Sequence, residues 1–244
     1  AGEDGWSTDS ILVRGSQDII LDHCSASWGT DEVLSVGHTP TDRVTVQWCF
    51  ISEGLADSTH DKGPHSMGGI DSRLANGRIS RHHNLYAHNN TRNPRPGSVH
   101  DEDIARFEAQ YNIVDSGMTY DFRNNVVYNW GGSRAGYTTG DSDRIAMNYV
   151  ANYLKPGPDS TGETAFNAAP RARIYQRETL VKGRDVGWEG ISKKYIRLDK
   201  PVMVAPVLTE PARVAFERVL TEGGASRPNR DSVDERLVTE VRQG

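Results

Sequence analysis

Residues Met118–Trp130 (MTYDFRNNVVYNW) contain the pattern that decides the fold. Tyr120 and Phe122 alternate with polar residues, an Asn-containing corner follows, and Val126–Tyr128 forms a second short apolar stretch. Alternation with a period of two predicts a β-strand. Four more segments repeat this order: Asp18–Trp28 (DIILDHCSASW), Arg43–Ser52 (RVTVQWCFIS), Gly77–Asn89 (GRISRHHNLYAHN) and Asp143–Leu154 (DRIAMNYVANYL).

The copies lie roughly 25–40 residues apart and predict an all-β solenoid of stacked parallel strands. Cys24 and Cys49 occupy equivalent places in successive copies. Two parallel, in-register side chains supply the geometry of a disulfide poorly, so we predict free thiols. Asn84, Asn125 and Asn148 recur at similar corners. Because Asn tolerates the left-handed backbone conformation, we predict that all three are structural.

The last third of the chain has a different pattern. Thr209–Glu222 and Asp231–Gln243 carry apolar residues at helical spacing, and Ser232 with Glu235 fits a capping box. We therefore predict a helical segment over residues 209–243 that packs on the solenoid, within a single domain of residues 1–244. The Gly/Pro-rich segment Pro156–Asn167 is predicted to be a connection.

Composition excludes several classes of protein. The chain has 244 residues and a formal net charge of -5, with 24 glycines and 11 prolines scattered along it. No apolar run approaches the ~18–20 residues that a membrane span needs, so we predict no membrane partner. An acidic chain lacks the net basic face of a general nucleic-acid binder.

Charges of each sign cluster locally. Ser72–His100 contains no acidic residue but carries five arginines and four histidines, which predicts either an anion-binding patch or a solvated basic loop. Acidic residues cluster earlier in the chain, and they are either a hard-cation site that favours calcium or ordinary turn carboxylates. This earlier group comprises Asp9, Asp18, Asp22, Asp31 and Glu32. An anionic substrate held between calcium and arginines suggests elimination on a uronic-acid polymer, whose carboxylate lies beside an acidic C–H bond.

Three strings carry a family resemblance: Leu21–Val36 (LDHCSASWGTDEVLSV), Ile79–Gly97 (ISRHHNLYAHNNTRNPRPG) and Asp121–Gly131 (DFRNNVVYNWG). Together with the ending GASRPNRDSVDERLVTEVR, they resemble the pectate lyases of polysaccharide lyase family 1. The resemblance covers nearly the whole chain. It implies a right-handed parallel β-helix of three sheets and a secreted protein, extracellular or periplasmic. It also implies calcium-dependent eliminative cleavage of polygalacturonate, and we expect a monomer.

The resemblance also assigns roles to residues. Arg92, which opens the R-x-P motif, corresponds to the family's base, and Asp9 and Asp31 correspond to calcium ligands. Lys62 corresponds loosely to a lysine that binds the substrate carboxylate. Arg134, one coil beyond the arginines, could line a further subsite together with Tyr137.

The chain departs from the family pattern at several positions. Ser7 and Ser35 stand where many members have aspartate, and Gly97 stands where the motif has a second arginine. Glu32 could replace a missing calcium ligand, and Arg95 could supply the missing positive charge. The first motif begins close to Ala1, so we expect that N-terminal coils of the family fold precede this sequence.

Alternative functions follow from these departures. One is a non-catalytic β-helix that binds acidic polysaccharide, and another is a lyase acting on esterified pectin or a different uronate polymer. A zinc site at His82 and His83 is disfavoured, because adjacent residues of a strand point to opposite faces.

Overall fold

The computed structural model describes residues 7–192 and 194–244. Residues 1–6 of the predicted single domain lie outside the described residues. The first sheet contains β1 (Ile11–Arg14), β4 (Leu34–Gly37), β7 (Ile70–Ser72) and β10 (Arg95–Pro96). The second contains β2 (Gln17–Asp22), β5 (Asp42–Gln47), β8 (Arg78–His82), β11 (Met118–Arg123), β14 (Ile145–Val150), β17 (Arg173–Arg177) and β21 (Ile196–Arg197).

The described residues form two more sheets. The third contains β3 (Ser25–Ser27), β6 (Phe50–Ser52), β9 (Leu85–Ala87), β12 (Val126–Tyr128), β15 (Tyr153–Lys155), β18 (Leu180–Val181) and β19 (Arg184–Asp185). The fourth contains β13 (Gly132–Tyr137), β16 (Ser160–Asn167) and β20 (Ile191–Ser192). Pairing is parallel throughout these strands except between β18 and β19.

The chain visits the sheets in a fixed order, which we call a coil: one strand in the first or fourth sheet, one in the second and one in the third. Neighbours in the second sheet, such as β8 and β11, are therefore three strands apart in sequence. The fourth sheet takes over from the first, and the Tyr137 N–H donates to the Pro94 carbonyl at 3.0 Å where they meet. These parallel sheets confirm the predicted all-β class and are consistent with a parallel β-helix.

The five repeated segments occupy equivalent places, each forming one strand of the second sheet and one of the third. A sixth pair of strands, β17 and β18, was not predicted. The prediction of a connection over Pro156–Asn167 is wrong for most of that segment. β16 pairs there with β13 and β20, and Ala165 and Phe166 enter the core.

The corner between the second and third sheets carries a hydrogen-bonded ladder of asparagines. The Asn84 Oδ1 accepts from the Cys49 N–H, Asn125 Oδ1 accepts from the Asn84 N–H, and Asn152 Oδ1 accepts from the Asn125 N–H at 2.9–3.0 Å. The structural role predicted for Asn84 and Asn125 is confirmed. For Asn148 the predicted place is wrong, since it lies within β14 and its side chain donates to Asp121. Its corner place is taken by Asn152.

Cys24 and Cys49 begin the same ladder, and both thiols are free, as predicted. Cys49 is fully buried, while Cys24 is half-buried. Burial raises the pKa of Cys49 to about 12, so this thiol is held in its protonated, unreactive form.

Inward-facing residues of the second sheet stack from coil to coil and form the core. One row runs Val44, Ile79, Tyr120, Met147 and Ile174 in register. The second row contains Val46, Arg81, Phe122 and Tyr149, and the rings of Phe122 and Tyr149 stack with centroids 5.4 Å apart. Arg81 is thus a charged residue at a core position.

Arg81 is neutralised by Asp71, and both side chains are fully buried. The guanidinium donates to both carboxylate oxygens at 2.6–2.7 Å. The same carboxylate accepts from the Tyr120 hydroxyl and from the Val36 N–H. This network lies directly behind β7 and connects the first and second sheets.

In the part of the chain that the structure describes, three α-helices lie outside the sheets: α1 (Ile104–Tyr111), α2 (Ala212–Glu222) and α3 (Ser232–Gln243). The last two fall within the segments predicted to be helical. Both pack on the third sheet, where Val219 and Leu237 meet Phe50 and Val126 in one apolar cluster. None of the described helices has the length and hydropathy needed to cross a bilayer.

Two helical details differ from the sequence expectation. The capping residue of α3 is Asp231, whose carboxylate accepts from the Asp234 N–H, so the predicted capping box at Ser232 is wrong. Helix α1 was not predicted, and it buries Phe107 against Ala75 and Val99.

The Arg81–Asp71 pair gives a stability prediction. Arg81→Met should lower the free energy of unfolding by about 3–5 kcal/mol, because it leaves the Asp71 charge buried and unpaired. Arg78→Met is the matched control on the same strand. Arg78 pairs with Asp42 but is 58% exposed, so its loss should cost less than about 1 kcal/mol. Urea unfolding of both variants checks this, and equal small losses would contradict the assigned role of the buried pair.

Candidate functional site

A cavity of about 780 Å³ opens on the outer face of the first sheet. Because side chains alternate along each strand, Asp71 and Val36 point into the core while their neighbours face outward. Ser35, Ile70 and Arg95 share one register row across β4, β7 and β10, and all three line this cavity. The predicted site residues that also line it are Asp9, Asp31, Glu32, Lys62 and Arg92.

Three carboxylates meet at one end of this cavity. One oxygen from each of Asp9, Asp31 and Glu32 lies within 4.8 Å of the others, and the Asp9 carboxylate also accepts from the Glu32 N–H at 3.1 Å. Burial, together with the neighbouring charge of Asp31, raises the pKa of Asp9 to about 6, against an opposing hydrogen bond from Ser35. An all-oxygen donor set with closely spaced negative charge fits calcium.

Arg92 faces the same carboxylates. Its Nη1 is in direct contact with Oε1 of Glu32 and lies 4.0 Å from Oδ1 of Asp31. The side chain is 15% exposed. Burial, reinforced by the positive charge of Arg95, lowers the pKa of Arg92. Its backbone is left-handed, with φ at 65°, and the Arg92 carbonyl accepts from the Gly69 N–H, which fixes the residue at the cavity edge.

The other predicted cationic residues occupy different surroundings. Arg95 packs over the Tyr137 ring with its Cζ 5.2 Å from the centroid. Arg134 approaches the same ring at 4.8 Å but is exposed and does not line the cavity. Lys62 is exposed on the loop between β6 and β7, at the cavity rim. Lys62, Arg92 and Arg95 therefore lie together at the cavity, whereas Arg134 lies outside it.

The basic segment Ser72–His100 is not one continuous patch. Arg78 and Arg81 are neutralised by Asp42 and Asp71, which precede the segment in sequence. Arg73, Arg92, Arg95 and His100 remain at the cavity. The prediction of an anion-binding patch therefore concerns only the four residues that lie at the cavity.

Two of the three departures from the family motif have local explanations. Ser35 accepts from the Ile70 N–H at 3.3 Å and faces the cavity with Asp9, where its hydroxyl opposes the rise in the pKa of Asp9. At Gly97, an added Cβ would lie 1.9 Å from the Thr139 Oγ1. A larger side chain at residue 97 would require Thr139 to move.

Sequence analysis missed two residues of this site, His60 and His65, whose imidazole Nε2 atoms lie 3.5 Å and 3.3 Å from Oδ1 of Asp31. Both histidines lie in the string HDKGPH, in which the sequence analysis singled out only Lys62. For His82 and His83 the expected opposite orientation is wrong, although neither residue belongs to a candidate metal group among the described residues. His83 has φ at 55° and turns the corner, which brings the two Nδ1 atoms within 3.0 Å.

Comparison with known proteins supports a single family. A protein from Aspergillus flavus named "Probable pectate lyase C" is 31% identical over 250 residues, and its namesake from Aspergillus terreus is 32% identical over 248 residues. Each alignment covers 96% of this chain and 51% of the relative. The chain therefore spans about half the length of these curated relatives. No family model matches it. The matches confirm the resemblance to pectate lyases.

The acidic group gives a prediction on pH dependence. Asp9 has a folded pKa of about 6, above its ordinary value of 3.8, so folding favours its protonated form. Its unfavourable contribution should grow as pH rises from about 4 to 6 and then stay constant. In metal-free buffer, Asp9→Asn should therefore stabilise the protein at pH 7 by roughly 1–2 kcal/mol, allowing for partial exposure, but very little at pH 4.

Urea unfolding at the two pH values checks this prediction. Asn retains an oxygen for the Glu32 N–H, so the substitution removes the charge and keeps the hydrogen bond. A gain of the same size at pH 4 and pH 7 would show that the carboxylate charge is not the cause.

Proposed function

We propose that this chain cleaves polygalacturonate by calcium-assisted β-elimination, with Arg92 as the base. The observation that carries the proposal is the placement of Arg92 beside Asp9, Asp31 and Glu32 in one open cavity. The similarity to proteins named pectate lyase supports the reaction class. The cavity is large enough for a polysaccharide segment, and its cationic rim suits a polyanion.

The donor set supports calcium as the cofactor. Asp9, Asp31 and Glu32 would hold it, with substrate oxygens and water completing the six to eight ligands that calcium takes. When bound there, calcium supplies positive charge that makes the proton beside a uronate carboxylate more acidic.

Arg92 needs to lose its own proton before it can act as the base. In the structure the contact with Glu32 favours the charged guanidinium, while burial and Arg95 favour the neutral form. If Glu32 and Asp31 serve as cation ligands, their charge no longer favours protonated Arg92. The neutral guanidine is then positioned to accept a proton from the sugar ring.

The elimination balances without any further reactant. Arg92 takes the proton from C5, the electrons of that bond form the C4–C5 double bond, and the C4–O bond breaks. The departing glycosidic oxygen takes up a proton from water. In this scheme Lys62 and Arg95 bind uronate carboxylates in and beside the cavity, and Arg134, which shares Tyr137 with Arg95, extends the row.

The remaining expectations belong to the same proposal. We infer a right-handed β-helix of three sheets, formed by one domain over residues 1–244, with residues 209–243 packed on its side. The protein is proposed to be secreted, to act in pectin catabolism and to work as a monomer.

A substitution of the base tests the proposal. Arg92→Ala should lower kcat on polygalacturonate at alkaline pH by about 10²–10⁴-fold, since a general base contributes that much. Product is followed by the ultraviolet absorbance of the C4–C5 double bond. Arg106→Ala is the matched control, because Arg106 is an exposed α1 residue that pairs with Asp103. Full activity in Arg92→Ala would refute the assignment of the base.

Metal removal tests the cofactor. A chelator should abolish product formation, and added calcium should restore it. Methyl-esterified pectin lacks the carboxylate charge, so it should be a poor substrate. Chelator-resistant cleavage of the esterified polymer would favour the alternative lyase on esterified pectin.

A specific observation favours a second candidate function. The Arg92–Glu32 contact favours the charged guanidinium, the form that a binding protein for acidic polysaccharide would require. Saturable binding of polygalacturonate by the folded wild-type chain, without unsaturated product either in chelator or with added calcium, would establish that function in place of the lyase.

A further inference from the structure

Asp31 also belongs to a second group of candidate metal ligands, formed with His60 and His65. The ligand atoms of the three side chains lie within 4.8 Å of one another. The Nε2 atoms of His60 and His65 approach the same Asp31 oxygen at 3.5 Å and 3.3 Å. The two rings stack with centroids 3.6 Å apart, so both present the same edge to Asp31.

Hydrogen bonds on the far side of each ring fix its orientation. The Nδ1 of His65 lies 3.3 Å from the Gly63 carbonyl, which can only accept, so this contact requires the proton on Nδ1. The Lys62 N–H donates to the Nδ1 of His60 at 3.0 Å, and the Asp61 carboxylate lies 3.2 Å from the same nitrogen. A carboxylate behind the imidazole is a common second partner of a metal-bound histidine.

One ligand atom of this group has no protein partner within the described residues. The Nε2 of His65 faces the Asp31 carboxylate at 3.3 Å. The His60 side chain is 0% exposed, and its Nε2 makes no hydrogen bond within the described residues. Buried polar atoms are normally satisfied, so this nitrogen calls for a partner. A cation between the three side chains would satisfy all of them.

We propose that Asp31, His60 and His65 form a transition-metal site of the zinc type, which adjoins the all-oxygen calcium group and shares Asp31 with it. Two imidazole nitrogens and one carboxylate suit zinc, whereas calcium takes oxygen ligands. Zinc–ligand bonds of ~2.0–2.1 Å place tetrahedral ligands ~3.3–3.5 Å apart, which matches both distances to Asp31. The fourth position is open to water or substrate, because Asp31 and His65 line the cavity. The site does not depend on the proposed lyase activity.

His82 and His83 are another close histidine pair, but three of their four ring nitrogens already have protein partners. Their Nδ1 atoms lie 3.0 Å apart in a shared hydrogen bond, and the Nε2 of His83 pairs with Glu210 at 3.2 Å. His82 therefore provides the matched control for the experiment.

The test uses the full chain, stripped of metal and kept in calcium-free buffer. Zinc is titrated in competition with a chromophoric chelator, and cobalt(II) is added separately to record its visible spectrum. Wild type should bind one zinc per chain and should give the intense bands of tetrahedral cobalt. His65→Gln and His60→Gln should each weaken zinc binding by at least about 100-fold and lose these bands, since each removes a ligand. Thermal unfolding without metal establishes that each variant is folded.

His82→Gln should bind zinc as wild type does. The proposal is overturned if wild type binds no zinc, if it gives only the weak spectrum of octahedral cobalt, or if His82→Gln loses zinc binding while His65→Gln keeps it. An upward shift of the wild-type Tm with zinc that is absent in folded His65→Gln would support the site independently.

Discussion

The structure depends on one tight corner, at which each coil passes from the second sheet to the third. Its six residues have left-handed backbone with φ of 51–55°: His23, Trp48, His83, Asn124, Ala151 and Glu178. None is glycine, so each costs roughly 1–2 kcal/mol in local conformation. The cost is offset between coils, because the carbonyl of the next residue accepts a backbone N–H from the following coil at 2.8–2.9 Å, five times in succession. One corner therefore stabilises its neighbours, and the register of all sheets follows from it.

That register also assembles the candidate site. With the second sheet fixed, the buried Arg81–Asp71 pair fixes β7 from behind, and β7 presents Ile70 and Ser72 to the cavity. Residues distant in sequence then meet on one face, since Asp9 and Asp31 come from successive coils and Arg92 comes from the second coil after that of Asp31. The result is a group of carboxylates that faces Arg92, and burial lowers the pKa of this arginine. Close opposite charges in a partly buried cavity suit a reaction that needs a cation on one side and a base on the other.

The sequence predicts the second and third sheets well, because their strands are long enough to show alternation. The strands of the first sheet are not visible in the same way, since Ile70–Ser72 and Arg95–Pro96 are too short to have a period. Left-handed corners at His, Trp and Ala carry no sequence signal, which is why Asn148 was chosen in place of Asn152 and why the contact between His82 and His83 was unexpected. The residues that line the cavity were largely foreseen through the family motif. His60 and His65 were not, because their meeting with Asp31 depends on how a long loop folds back.

The central claim is that Asp9, Asp31 and Glu32 bind calcium and that Arg92 is thereby freed to face the substrate. A crystal structure of the Arg92→Lys variant or of wild type with calcium and a galacturonate oligosaccharide would test it most directly. We expect calcium on oxygens of all three carboxylates, with residue 92 released from Glu32 and directed at C5 of a bound uronate. Calcium bound elsewhere, or Arg92 of wild type still in contact with Glu32 while the oligosaccharide occupies the cavity, would contradict it.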